Sequence, residues 1–163
     1  MIVVADTSVL LNLCCVKQIE LLRLLFRDVV IPVEVAAEFS RLSTQVPRFT
    51  GLSLPSWLRQ QTVSGIPPVV RSAAGLDPGE TAALALPLEI EADAVLVDER
   101  RGHEVARELG FRTIGVLVIL LQARVAGLIP QIAPVLDQLQ ADAGFWVVVA
   151  LRERVLQLGG EKA

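Results

Sequence analysis

Short apolar runs recur along the chain, each followed by polar or turn-forming residues and then by a stretch with helical spacing. Ile2–Ala5 ends in Asp6-Thr7-Ser8, Val29-Val30-Ile31 ends in Pro32, and Ala94-Val95-Leu96-Val97 ends in Asp98-Glu99, with Arg112–Gly115 a weaker fourth run. Short β-branched runs without alternation predict strands buried on both faces, as in a parallel sheet. Between them, Ser8–Cys15 is apolar except for Asn12 and begins a helix capped by Asp6 or Ser8. Ile19, Leu22 and Phe26 continue at helical spacing, and Pro32 opens a helix over about Val33–Leu42 that packs through Val35, Ala36 and Phe39. Further helices are predicted from about Arg101 to Leu109, stopped by Gly110, and from Val116 to Ala126, stopped by Gly127. Ile132, Val135, Leu136 and Leu139 mark another, and Val148, Leu151, Val155 and Leu158 a last one closed by Gly159-Gly160. Strands alternating with helices place the chain in the α/β class, as a three-layer α/β/α sandwich with a mostly parallel central sheet.

The pattern is interrupted once. From Ser43 to Leu76, Ser, Thr, Pro and Gly accumulate, which predicts loop with one extended piece at Trp57–Val63. Its apolar content is too thin for a separate core, so residues 1–163 are expected to form a single domain. Helical signals return at Asp77-Pro78-Gly79-Glu80, where Asp and the Glu three positions on match a helix start with a capping-box acid. Thr81–Glu91 would follow, with Pro87 expected to kink the helix or end it early.

Composition changes the picture in two ways. With 53% apolar and 20% charged residues, the chain belongs with well-buried globular proteins. With a formal charge of −3 it lacks the bulk basic signature of nucleic-acid binding, so a nucleic-acid substrate would need local arginines or bound cations. Cys14 and Cys15 are adjacent, cannot form a disulfide framework and read as helix packing in a reducing compartment. The amino terminus lacks a basic region before its apolar run, and the apolar stretch Val116–Leu136 is broken by Gln122, Arg124, Gly127, Pro130, Gln131 and Pro134. Neither reads as a membrane segment, and a cytoplasmic location is expected.

Candidate chemistry lies in the acids. Asp6 and Asp98 follow apolar strands, where open α/β sheets bind their ligands; Glu38 lies on the helix after Ile31, and Glu80 in the first turn of another. Oxygens converging in this way suit Mg²⁺ or Mn²⁺, because a carboxylate cluster without a cation repels itself. Taken singly, each has an ordinary reading: Asp6, Glu80 and Asp98 as helix caps, Glu38 as part of a solvated helix face. Glu34, Asp93 and Glu99 read as surface acids, Glu99 being the strongest exception. Recurrence at strand ends is what caps alone do not require. Other catalytic sets are weaker. The single histidine, His103, sits on a charged helix and is expected to be exposed, and neither a phosphate-binding glycine loop nor a zinc spacing is present.

These motifs together resemble the PIN-domain family, in particular small prokaryotic PIN-like ribonucleases related to the toxins of toxin–antitoxin pairs. The resemblance covers nearly the whole chain. It rests on Val4-Ala5-Asp6-Thr7-Ser8 with Leu10 and Leu13, Val30-Ile31-Pro32-Val35-Glu38, Leu76-Asp77-Gly79-Glu80-Ala83, Leu96-Val97-Asp98-Glu99-Gly102, Gly115-Val116-Leu120-Leu121 and Gly127-Leu128-Ile129. It implies a compact α/β/α fold and metal-dependent cleavage of single-stranded RNA that leaves a 5′ phosphate. Asp6, Glu38, Glu80 and Asp98 fall on the family's acidic positions, with Asp6, Glu80 and Asp98 as ligands of Mg²⁺ or Mn²⁺ and Glu38 set to coordinate or orient the attacking water. Ser8 matches a supporting hydroxyl. Glu99 stands where relatives often carry a second Asp, which leaves its role as ligand or support open. Arg41, Arg100 and Arg101 are the candidates for phosphate contacts. The implied partners are a small antitoxin protein and, from the apolar helices after Gly115, a second copy in a homodimer. A non-catalytic PIN-like binding or scaffold protein is the competing reading, and cleavage of structured DNA a weaker third.

Overall fold

The protein is described by a computed structural model covering residues 1–162. The strands are β1 (Ile2–Ala5), β2 (Asp28–Pro32), β3 (Arg59–Gln61), β4 (Ala94–Leu96) and β5 (Arg112–Ile114). The helices are α1 (Thr7–Cys15), α2 (Glu20–Leu25), α3 (Val33–Gln45), α4 (Pro68–Arg71), α5 (Pro78–Ile90), α6 (Arg100–Glu108), α7 (Val116–Val125), α8 (Ala133–Asp142) and α9 (Val149–Leu158). The strands form one sheet in the order β3-β2-β1-β4-β5, and every neighbouring pair is parallel.

Burial follows from that topology. β1 is central, with Val3 between Val29 and Ala94 and Val4 between Val30 and Val95, so its side chains meet protein on both faces. Adjacent residues of β4 show the two faces directly. Val95 packs with Val70, Leu84, Val105 and Ala106, whereas Ala94 and Leu96 join the larger core around Leu10, Leu13, Ile119, Leu120 and Leu136. Helices therefore cover both sides of the sheet in an α/β/α arrangement.

The chain runs outward from β1 to β2 and β3, then crosses back past β1 to β4 and β5. The strand order thus reverses between β1 and β4, and crevices at the carboxyl ends of such strands are where open α/β sheets bind ligands. Asp6 follows β1 directly and Asp98 stands two residues beyond β4.

Three elements differ from the sequence expectation. α5 neither stops nor breaks at Pro87; it continues to Ile90, and Leu84–Pro87 are all buried. Core burial of that turn offsets the amide bond that proline cannot make. α3 extends past Leu42 to Gln45, where the Val46 amide donates to the Leu42 carbonyl and satisfies one acceptor of the last turn. The loop-rich stretch holds β3, inside the expected extended piece, and also a 3₁₀ turn (Pro47–Phe49) and α4, both too short to leave a periodic pattern.

Candidate active site

Asp6 is the N-cap of α1. Its Oδ1 accepts from the Thr7 amide at 2.8 Å, and the residue is only 3% exposed. Burial pushes its pKa up to about 7; the Thr7 amide opposes this, and the charges of Glu99, Glu38 and Asp77 add to it.

Asp98 caps a different helix from the one expected. Glu99, not Asp98, is the N-cap residue of α6, and it makes no side-chain cap bond. Asp98 Oδ1 instead accepts from the Val116 amide at 3.0 Å, at the start of α7. The cap residue of α7 is Gly115, and a Cβ there would stand 2.6 Å from Asp98 Oδ1, so the carboxylate occupies the space a side chain would need. Burial raises the Asp98 pKa to about 6, with the Val116 amide and the neighbouring Asn12 side chain lowering it and Glu99 raising it. Its Oδ2 is buried with no hydrogen-bond partner among the described residues.

Glu80 lies in the first turn of α5, buried at 8% exposure, with its amide donating to Asp77 Oδ1 at 2.7 Å. Its pKa is raised, first by burial, then by hydrogen bonding with Asp77 and by the charges of Glu99, Asp77 and Asp6. Glu38, on α3, is half-buried, and a Cβ on Gly79 would collide with its carboxylate. Burial and the charges of Asp77 and Glu99 raise the Glu38 pKa, while Arg41 lowers it.

Asp6 thus interacts electrostatically with Glu38 and Glu80, whereas Asp98 is linked to these three only through Glu99, which adds to the upward shift of all four. Neither Asp6 nor Asp98 forms an ion pair among the described residues. Side-chain positions stop short of a ligand shell: among the described residues, no three of His, Cys, Asp or Glu are grouped closely enough to hold a metal ion. The donor set nonetheless fits a hard divalent cation. It offers carboxylate oxygens, one of them the buried and unpartnered Asp98 Oδ2, in surroundings whose burial, and secondarily neighbouring charge, disfavours their charged forms without a cation.

Other expected positions vary. Ser8 Oγ is buried but makes no hydrogen bond, so the expected supporting bond is not formed; Thr7 Oγ1 is likewise unpartnered. Glu99 is exposed. Arg41 lines a 330 Å³ cleft with Glu38, Asp77 and Gly79. Arg100 instead pairs with Glu104 at the surface, and Arg101 donates to the Ala74 carbonyl at 2.7 Å, so both are engaged elsewhere. Glu34 is half-buried rather than a surface acid, with Oε2 unpartnered, because the α3 face that carries it borders the loop before α5. His103 is also half-buried, since its Nδ1 is hydrogen-bonded to Thr113 Oγ1 at 2.7 Å across from β5. Burial pushes the Cys14 thiol up to about 12, in keeping with a packing role.

Asp77 and Asn12 are the residues that sequence reasoning passed over. Asp77 reads as a cap and is one, but its charge also acts on Asp6, Glu38 and Glu80. Asn12 was visible as the lone polar residue in an apolar helix, and a buried amide of that kind needs a polar neighbour, here Asp98.

Comparison with known families matches residues 2–161 to the family model DUF3368, described as a PIN domain. No curated protein and no solved structure gives a significant match.

Proposed function

The chain belongs to the PIN-domain family, and from that premise we propose that it is a metal-dependent endoribonuclease acting on single-stranded RNA. PIN domains are nuclease folds, and the four acids supply this reading with its chemistry. The observation that carries it is the pair Asp6 and Asp98, two carboxylates without ion pairs just beyond the carboxyl ends of adjacent strands at the reversal of strand order, both with raised pKa values.

Asp6, Glu80 and Asp98 would hold Mg²⁺ or Mn²⁺, with Ser8 and Glu99 beside them. Bound there, such an ion lowers the pKa of a water and offsets phosphodiester charge. Glu38 orients the attacking water and accepts its proton, and Arg41 keeps that carboxylate nearer its charged form. The water oxygen bonds to phosphorus as the bond to the 3′ oxygen breaks; solvent protonates the departing 3′ oxygen to a hydroxyl, and the 5′ phosphate remains on the other fragment. Arg41 is also the arginine best situated for a backbone phosphate. In the toxin form of this proposal a small antitoxin restrains the enzyme, and growth arrest on expression would require Asp6.

The test is cleavage of end-labelled RNA by purified protein with and without Mn²⁺. Metal-stimulated cleavage of single strands, stopped by EDTA and sparing a duplex of the same sequence, is the expected result. The looseness of the acid group favours a second reading, a non-catalytic PIN-like binding or scaffold protein. That reading predicts RNA binding with no metal-stimulated product.

A further inference from the structure

A cavity of about 550 Å³ opens between α7, α9 and the connection that joins α8 to α9. Its walls are largely apolar, from Leu117 and Leu121 on α7 and Leu151 and Val155 on α9. Its size is that of a small-molecule site. Three features separate it from an ordinary gap in packing. First, Phe145 and Trp146 stand consecutively at it in a chain with only two Trp, five Phe and no Tyr, and Trp146 is 80% exposed. An indole left in water beside a hollow is a surface awaiting an apolar partner. Second, the apolar lining is interrupted by the hydrogen-bonded pair His103 and Thr113, which brings donors and acceptors to an otherwise greasy wall. Third, the cavity reaches one of the candidate acids, because Asp98 belongs to its lining together with Gly115. Arg154, exposed and without an ion pair among the described residues, adds a positive charge.

We propose that this cavity is a nucleobase subsite. It receives the base of a nucleotide flanking the cleaved phosphate. Trp146 stacks on the base, His103 and Thr113 meet its polar edge, and Arg154 takes a neighbouring phosphate. A flat π-system with a polar rim and an attached anion matches all three classes of group around the hollow, whereas a second protein copy would leave His103, Thr113 and Arg154 without assigned partners. What the subsite serves rests on the nuclease reading; its binding of a base does not.

Trp57→Phe leaves Trp146 as the only tryptophan, and combining it with Asp6→Asn removes cleavage from the binding measurement. Titration of that protein with a single-stranded octaribonucleotide should quench Trp146 fluorescence saturably, and an abasic strand of equal length should bind at least about fivefold more weakly. In an otherwise unaltered chain, Trp146→Ala should raise the KM for single-stranded RNA about tenfold with kcat within about twofold, and Trp146→Phe should restore most of the loss. Equal affinity for the abasic strand, or an unchanged KM in Trp146→Ala, would overturn the proposal. So would a dimer that Trp146→Ala dissolves with RNA affinity untouched, which would assign the face to a second copy. If the unaltered chain fails to cleave RNA, the nuclease reading falls alone, since the fluorescence titration still decides the subsite.

Discussion

Asp6 and Asp98 each accept one helix amide and still carry raised pKa values, so the cap bond does not offset the cost of burying these carboxylates. A cap bond and the proposed ligand role, alternatives at the level of sequence, are compatible in one side chain, because the cap bond occupies only one carboxylate oxygen. Asp6→Asn keeps an acceptor for the Thr7 amide while removing the buried charge. At pH 8 without metal it should be more stable than the unaltered chain by about 1–3 kcal/mol in urea unfolding, with the difference gone by about pH 4. Gly115→Ala tests the other wall. A Cβ 2.6 Å from Asp98 Oδ1 must displace the carboxylate or the start of α7. The expected cost is about 1–3 kcal/mol by chemical denaturation, with cleavage reduced more than the stability loss explains. Residue types alone did not reveal this crowding, because it depends on which strand neighbours which.

At the scale of elements, strands and caps were the legible part. β1 and β2 lie on the expected runs because unalternated β-branched residues suit a strand covered on both faces. Asp77-Pro78-Gly79-Glu80 opens α5 as its pattern predicts. What local pattern missed was decided by tertiary context: burial carries α5 through Pro87. The same division holds for the candidate site. Asp6, Glu38, Glu80 and Asp98 stood out by position, whereas Asn12 and the wider influence of Asp77 needed the fold. Asp77 separates cap from charge. Asn is as good an N-cap as Asp, so Asp77→Asn should leave unfolding free energy within about 0.5 kcal/mol, whereas Asp77→Ala should lose about 1 kcal/mol. Both remove a charge that raises the Glu38 and Glu80 pKa values, so both should bring those values down in a carboxylate titration followed by NMR.

For the whole molecule, the acid group makes stability depend on pH with a definite sign. Folded pKa values near 7 for Asp6 and 6 for Asp98, against 3.8 for an aspartate in water, mean that the folded chain holds more protons than the unfolded chain between those limits. Metal-free stability should therefore fall as pH rises from about 4 to about 8. Added Mn²⁺ should oppose that fall most at the alkaline end, where the carboxylates are already ionised, as thermal unfolding at several pH values would register. The most direct measurement of the central claim is single-turnover cleavage of single-stranded RNA in Mn²⁺ by the unaltered chain and by Asp6→Asn, each shown by circular dichroism to be folded. Cleavage by the first and a loss of at least about a hundredfold in the second are expected if Asp6 holds the metal. Equal rates in the two proteins would contradict it.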